Sequence, residues 1–214
     1  MADSTNQTDS PQPLPDAGCG GRSRKRVIGM LFLWASGFLV LLAAVLGMVV
    51  WHANAVPLVV RLGYPEQSKL LIVNADDGGL CESANAAVFQ ALERGMVTSS
   101  TLMVPAPGFP AAAAYAVTHP GLDIGIHLTH TAEWQTYRWG PILPHASVPG
   151  LVDDAGFLRH EVGGAAGVYA NSNPAEAARE AEAQMAKALS LGLDITHVDS
   201  HMGAMQYDVR YFLR

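Results

Sequence analysis

The sequence predicts an α/β domain built on parallel strands, either an open sheet or a (β/α) barrel, preceded by one membrane-crossing helix. Three observations carry this. From Lys69 onward, short apolar or β-branched runs alternate with helix-length stretches, the pattern of repeated βα units. Polar, ligand-type residues stand at the C-terminal ends of three of those runs, where α/β proteins collect their ligands. The run from Val27 to Trp51 holds no charge over about 25 residues, enough at about 1.5 Å per residue to cross a hydrocarbon core of about 30 Å.

In chain order, the 214 residues, 50% of them apolar, allow one domain with an ordinary core. Residues 1–26 are rich in Ser, Pro, Asp, Gln and Gly without an apolar period, so a disordered tail is expected, closed by the basic cluster Arg22 to Arg26. Residues 27–51 form the expected signal-anchor helix. The basic cluster before it places the N-terminus in the cytoplasm, so the expected location is the cell membrane, single-pass, with the C-terminal domain extracytoplasmic. Ala53-Asn54-Ala55 has the small-x-small form of a processing site, but the apolar run exceeds the roughly 7–15 residues of a signal h-region, and an uncleaved anchor is the expectation. Cys19 and Cys81 then fall on opposite sides of the membrane. They do not pair, and their number excludes a cysteine metal cluster. The net charge is −6, and the tail is net basic, so the remaining chain is more acidic still, which argues against a nucleic-acid partner.

Residues 52–68 read as a linker, and residues 69–214 as the soluble domain. Leu70 to Val73 is a short continuous apolar run, expected as a strand buried on both faces. Asn74, Asp76 and Asp77 follow at once, with Gly78 and Gly79 supplying a tight turn. Ser83 to Arg94 carries a helical apolar stripe, and Gly95 stands where a left-handed C-terminal residue is expected. Val97 to Val104 reads as the second strand, Phe109 to His119 as an Ala-rich helix, and Asp123 to His130 as the third strand. Thr131 to Ala170 has several Pro and Gly and no sustained period, and is expected to be a long excursion with substrate-facing loops. Asn173 and Pro174 form an N-cap and first helical position, followed by an apolar face of Ala181, Met185, Ala188 and Leu189 that ends before Gly192. Ile195 to His201 completes a fourth strand. No internal repeat is present.

Asp76 and Asp77 are adjacent carboxylates at the end of a buried strand, where they repel one another unless a cation or a shared proton holds them. Their bland reading is a solvated turn in which one of them caps the next helix. A lone histidine on an apolar strand is likewise an ordinary core residue. Here, however, three polar clusters coincide at strand ends: Asn74 to Asp77, Gly125 to His130, and His197 to His201. A carboxylate and two imidazoles converging on one face make an open site for a divalent cation.

The motifs LLIVNADDGGL, VTSSTLMV, GIHLT and THVDSH, in this order, resemble the YdjC/ChbG family of metal-dependent carbohydrate deacetylases, which includes hopanoid-associated members. The resemblance covers roughly Lys69 to Gly203. It implies a distorted (β/α) barrel and removal of acetyl groups from N-acetylated sugars such as chitooligosaccharides. It also implies a divalent cation, Mg2+ or Zn2+, on Asp77, His127 and His201, with Asp76 as the base. This chain departs from the family pattern at Gly78, where Phe is common, and at Met202 to Met205, where further histidines are common. It also stops at Arg214, soon after the fourth strand, so the barrel is expected to be truncated at its C-terminal side and the chain a fragment.

The expected reaction is hydrolysis of an acetamide or ester, with water activated by the cation and Asp76 accepting its proton. His197 and Asp199 are assigned to the layer behind the ligands, orienting His201 or its neighbours. The expected partners are an acetylated sugar or oligosaccharide and, through one helix, the membrane. The oligomeric state has no signal. Two other classes stay open: an inactive membrane-tethered carbohydrate-binding protein, and a metal-dependent phosphoesterase, disfavoured by the acidic balance and the lack of a phosphate-cradling Gly-rich loop.

Overall fold

An apolar run this long satisfies its backbone only as a helix, and α1 (Gly21–Asn54) takes up the whole of it together with the basic cluster. The computed structural model describes residues 21–54 and 56–213, which divide after Leu70 into two compact units. The expected tail through residue 20 and the processing position at Ala55 lie outside the described residues. Within α1, the 24 residues Ile28–Trp51 are long and apolar enough to cross a membrane, and none is buried. A signal sequence and a membrane anchor both have this form. The short helix α2 (Leu58–Arg61) follows.

The second unit is an α/β fold with four parallel strands, β1 (Asn74–Gly78), β2 (Ser99–Leu102), β3 (Ile124–Leu128) and β4 (Val198–Ser200), in the order β1-β2-β3-β4. Helices α3 (Glu82–Glu93), α4 (Phe109–Thr118), α5 (Val168–Asn171) and α6 (Pro174–Ser190) occupy the connections, and α7 (Val209–Phe212) follows β4. α3 ends as expected, on Gly95 at φ 67.

The first strand corrects the expectation. β1 starts at Asn74, and the apolar run before it is not buried on both faces: Leu71 and Ile72 are each 79% exposed. β1 stands at one end of the strand order, and the ladder begins only at Val73, whose carbonyl accepts from Thr98 N at 2.8 Å. Among the described residues, no neighbouring strand covers the chain upstream of Val73.

The two faces of the sheet differ in chemistry. Leu102, Ile124 and Ile126 pack with Phe89 of α3, Phe109, Ala112, Ala113 and Ala116 of α4, and Ala188 of α6. This apolar burial, worth about 25 cal/mol per Å², holds helices to sheet. The alternate residues, Asn74, Ser99, Thr101, His127 and Asp199, face each other in register and form a hydrogen-bonded polar layer.

The excursion from Thr131 to Ala170 is better packed than its composition implies. Ala132, Trp139, Val148, Leu151, Leu158 and Val168 are buried in a second core with Met103, Ala177 and Tyr211. α6 is capped as expected, Asn173 Oδ1 accepting from Ala175 N and Glu176 N, each at 3.1 Å. Of its expected apolar face, Ala188 is buried and Met185 packs against the core, but Leu189 is 57% exposed, and Glu176, Glu180 and Gln184 are buried beside them. α6 lies against irregular backbone that needs acceptors. Glu176 accepts from Gly150 N, Glu180 from Ile142 N and Leu143 N, and Gln184 bonds both backbone groups of Thr129.

Candidate metal centre

The end of β1 is where the chain leaves regular geometry. Three residue steps on β1, Ala75 to Gly78, oppose two on β2, Ser100 to Leu102, so β1 carries a one-residue bulge that contains Asp76 and Asp77. Asp77 itself is left-handed, at φ 55, a conformation that Asp tolerates better than most residues. The turn is then locked. Gly79, at φ 87, donates its N–H to Asn85 Oδ1 at 2.7 Å, and the buried Asn85 amide donates onward to Gly108 O at 2.9 Å.

This backbone turns Asp77 toward two buried imidazoles. Its Oδ1 lies 3.3 Å from Nε2 of His127, on β3, and 3.1 Å from Nδ1 of His201, in the 3-10 turn directly after β4. His127 and His201 are 4% and 5% exposed, and their rings meet edge-on at 5.3 Å between centroids. The next residue, Met202, is left-handed at φ 51, so both ends of the cluster sit on unusual backbone.

Each imidazole has a second carboxylate behind it. His127 Nδ1–H donates to Asp199 Oδ1 at 2.5 Å, and Asp199 is in turn held by Thr101 Oγ1 at 3.0 Å and Asn74 Nδ2 at 3.4 Å. His201 Nε2–H donates to Glu133 Oε2 at 2.9 Å. Burial alone would push His127 down, but the hydrogen bond to Asp199 and the neighbouring Asp77 carboxylate outweigh it and pull it up to about 9. His201 is raised likewise, with burial opposed by Asp77 and Glu133. His127, and then His201, hold the Asp77 carboxyl well below the usual carboxylate range.

The residues fit a divalent cation. One donor atom each from Asp77, His127 and His201 lies within 4.8 Å of the others. Asp77 Oδ1 is buried and makes no hydrogen bond of good geometry despite its two imidazole neighbours. A buried acceptor without a donor is costly, and a cation among these three atoms would both satisfy it and take the place of the imidazole protons. Two imidazoles and one carboxylate, with further positions open, form a donor set that Zn2+ and similar ions accept.

The other residues singled out in the sequence fall in different places. Asp76 is exposed and its side chain makes no internal hydrogen bond or ion pair among the described residues. Asp199 reaches His127. His197 lies apart from both His127 and His201, bonded to Thr196 Oγ1 at 2.7 Å and at 3.4 Å from Asn74 Oδ1. His130 is a fully buried residue whose Nε2–H donates to Ala177 O at 3.0 Å. Glu133 escaped the sequence reading because it stands in an aperiodic segment, and its one available signal was a carboxylate six residues beyond His127. A cleft of about 490 Å³ opens beside it, lined by Gln135, Arg159, His160 and Met202 among others.

An α/β sheet of parallel strands whose carboxyl ends gather one carboxylate and two buried imidazoles defines the class: an α/β protein with a candidate Asp/His metal centre. The chain belongs to the YdjC family, whose model, described as YdjC-like protein, matches residues 70–212. Among curated relatives, a carbohydrate deacetylase of Brevibacillus brevis is 38% identical over 131 residues, covering 61% of this chain and 48% of the relative. Carbohydrate deacetylase 1 of Listeria innocua is 37% identical, with 61% and 50% covered. A carbohydrate deacetylase of Enterococcus faecalis is 36% identical, with 63% and 48% covered. The chain therefore spans about half the length of the curated relatives it matches. A crystal structure from Enterococcus faecalis, described with a proposed role in cellobiose-phosphate cleavage, superposes with a TM-score of 0.60 at 33% identity, covering 68% of this chain and 53% of that one.

Proposed function

We propose that this chain carries the metal-binding part of a carbohydrate deacetylase that hydrolyses the acetamide of an N-acetylated sugar. The observation that carries the reading is the buried, unsatisfied Asp77 Oδ1 facing His127 Nε2 and His201 Nδ1, with Glu133, the partner of His201, lining a cleft. The names of the relatives supply the substrate class. The four strands are the first units of a distorted (β/α) barrel, and α1 tethers the domain to the outer side of the cell membrane.

Asp77, His127 and His201 would hold the cation, Mg2+ or Zn2+, which supplies a Lewis acid for the acetyl carbonyl and acidity for water. Asp199 keeps the proton of His127 on Nδ1, so that Nε2 keeps its lone pair toward Asp77. Asp76, exposed at the strand end and without an internal partner among the described residues, accepts the proton of the attacking water. The cleft beside Glu133 receives the sugar, with polar groups from Gln135, Arg159 and His160 available to its hydroxyls.

The test is acetate release by the detergent-solubilised full chain with added Zn2+ or Mg2+, on N-acetylglucosamine, chitooligosaccharides and a parallel panel of phosphate esters. Acetate release that is lost in Asp77→Ala supports the reading. Phosphate release alone would move the chain to the phosphoesterases, and sugar binding without either product would make it a binding protein.

A further inference from the structure

Glu133 has no part in the chemistry above, yet it stands against one of the three ligand candidates. We propose that Glu133 is the positioning residue of His201: its carboxylate accepts the Nε2–H and so presents the Nδ1 lone pair to the cation, a role that rests on the metal reading of the site.

The argument starts from the two-sidedness of imidazole. A neutral ring carries one N–H, and the nitrogen that binds metal must be the other. In His127 the nitrogen facing Asp77 is Nε2, and Asp199 takes the proton on Nδ1. In His201 the ring is reversed, with Nδ1 3.1 Å from Asp77 Oδ1 and Nε2 2.9 Å from Glu133 Oε2. Two carboxylates therefore compete for the protons of His201, and an ionised carboxylate can only accept. The nitrogen that faces Glu133 keeps its hydrogen, so a cation arriving beside Asp77 displaces the proton on Nδ1 alone. Glu133 sits across the ring from that nitrogen, which suits it to orient His201 rather than to share the ion.

The placement of Glu133 is prepared by its own segment. Thr131 Oγ1 reaches Met202 Sδ at 3.3 Å, and Thr131 O accepts from Trp139 Nε1 at 3.0 Å. Ala132 N donates to Arg159 O at 2.8 Å, and Glu133 O accepts from His160 Nδ1 at 3.2 Å. Residues 131–133 are thus pinned on several sides before the carboxylate reaches His201. One metal-site histidine is oriented from within the sheet and the other from the excursion, which makes the geometry of the centre depend on a segment that also lines the cleft.

The experiment uses the full chain in detergent with Zn2+ as the probe. Zinc affinity is measured by chelator competition for wild type, Glu133→Ala, Glu133→Gln, Asp77→Ala and, as a neighbour on the same cleft, Glu161→Gln, with circular dichroism to verify folding. Loss of a partner of this kind costs about 10- to 100-fold in metal affinity. Glu133→Ala should show that loss, Glu133→Gln less, since its amide oxygen still accepts the Nε2–H, and Glu161→Gln none. Histidine-selective 15N NMR of wild type with zinc should show His201 protonated on Nε2 and metal-bound on Nδ1. Folded Glu133→Ala that binds zinc like wild type, or zinc on Nε2 of His201, overturns the role of Glu133 while leaving the metal centre standing. Zinc binding in wild type no tighter than in Asp77→Ala overturns the metal reading and this inference together. Should Glu133→Ala not fold, the wild-type NMR result decides by itself.

Discussion

His127 and Asp199 meet at 2.5 Å, Nδ1 to Oδ1, across the pair of strands in which they stand in register. A carboxylate so placed fixes the ring and raises the basicity of the opposite nitrogen. Asp199→Ala is expected to lower zinc affinity by about 10- to 100-fold with little change in overall fold. The dissociation constant by competition titration checks this, and an unchanged value would leave Asp199 a structural residue of the polar layer.

The two adjacent carboxylates are expected to separate by function. Asp76→Asn should keep full metal stoichiometry and lose turnover by about 10²- to 10⁴-fold, the ordinary worth of a general base. Asp77→Asn should lose metal, with activity partly restored by excess cation. Metal analysis beside acetate release distinguishes them. A metal-free, folded Asp76→Asn protein would exchange the two roles.

His130 gives a pH dependence of known sign. Complete burial pushes its imidazole down to about 4 from the ordinary 6.5, with the bond to Ala177 O only partly opposing this. The unfolded chain therefore binds more protons than the folded one between those values. The contribution of His130 is present in full above about pH 6.5 and is lost as the pH falls toward about 4, by about 3 kcal/mol. Glu180, whose carboxyl burial raises, contributes in the opposite sense. Urea midpoints at pH 7 and pH 4.5, compared between wild type and His130→Asn, isolate the histidine. Equal pH dependence in the two proteins would remove it as the cause.

For topology, an uncleaved anchor with basic residues before it predicts a mature N-terminus upstream of Val27. External protease should remove the domain from spheroplasts. N-terminal sequencing that starts at Val56 would replace the anchor by a cleaved signal, and protection of the domain in intact spheroplasts would reverse the orientation.

What the sequence determined is what short-range chemistry determines. The apolar helix, the βα alternation, the Asn173 cap and the left-handed Gly95 follow from periodicity and from residue types within a few positions. The three strand-end clusters could be singled out from position, because parallel strands bring their ends to one side of a sheet, while the choice of Asp77, His127 and His201 within them came from the family resemblance. The tertiary structure supplied the reason that Asp77 and not Asp76 turns toward the imidazoles, a single-residue bulge and one positive φ. It also decided that Asp199 serves His127 and Glu133 serves His201, contacts across 72 and 68 residues of chain that no local pattern encodes. The stripe of Glu176, Glu180 and Gln184 on α6 was hidden for a related reason. A helix that packs on irregular backbone must bury acceptors rather than methyl groups, and whether the partner is regular or irregular is a property of the fold and not of the helix.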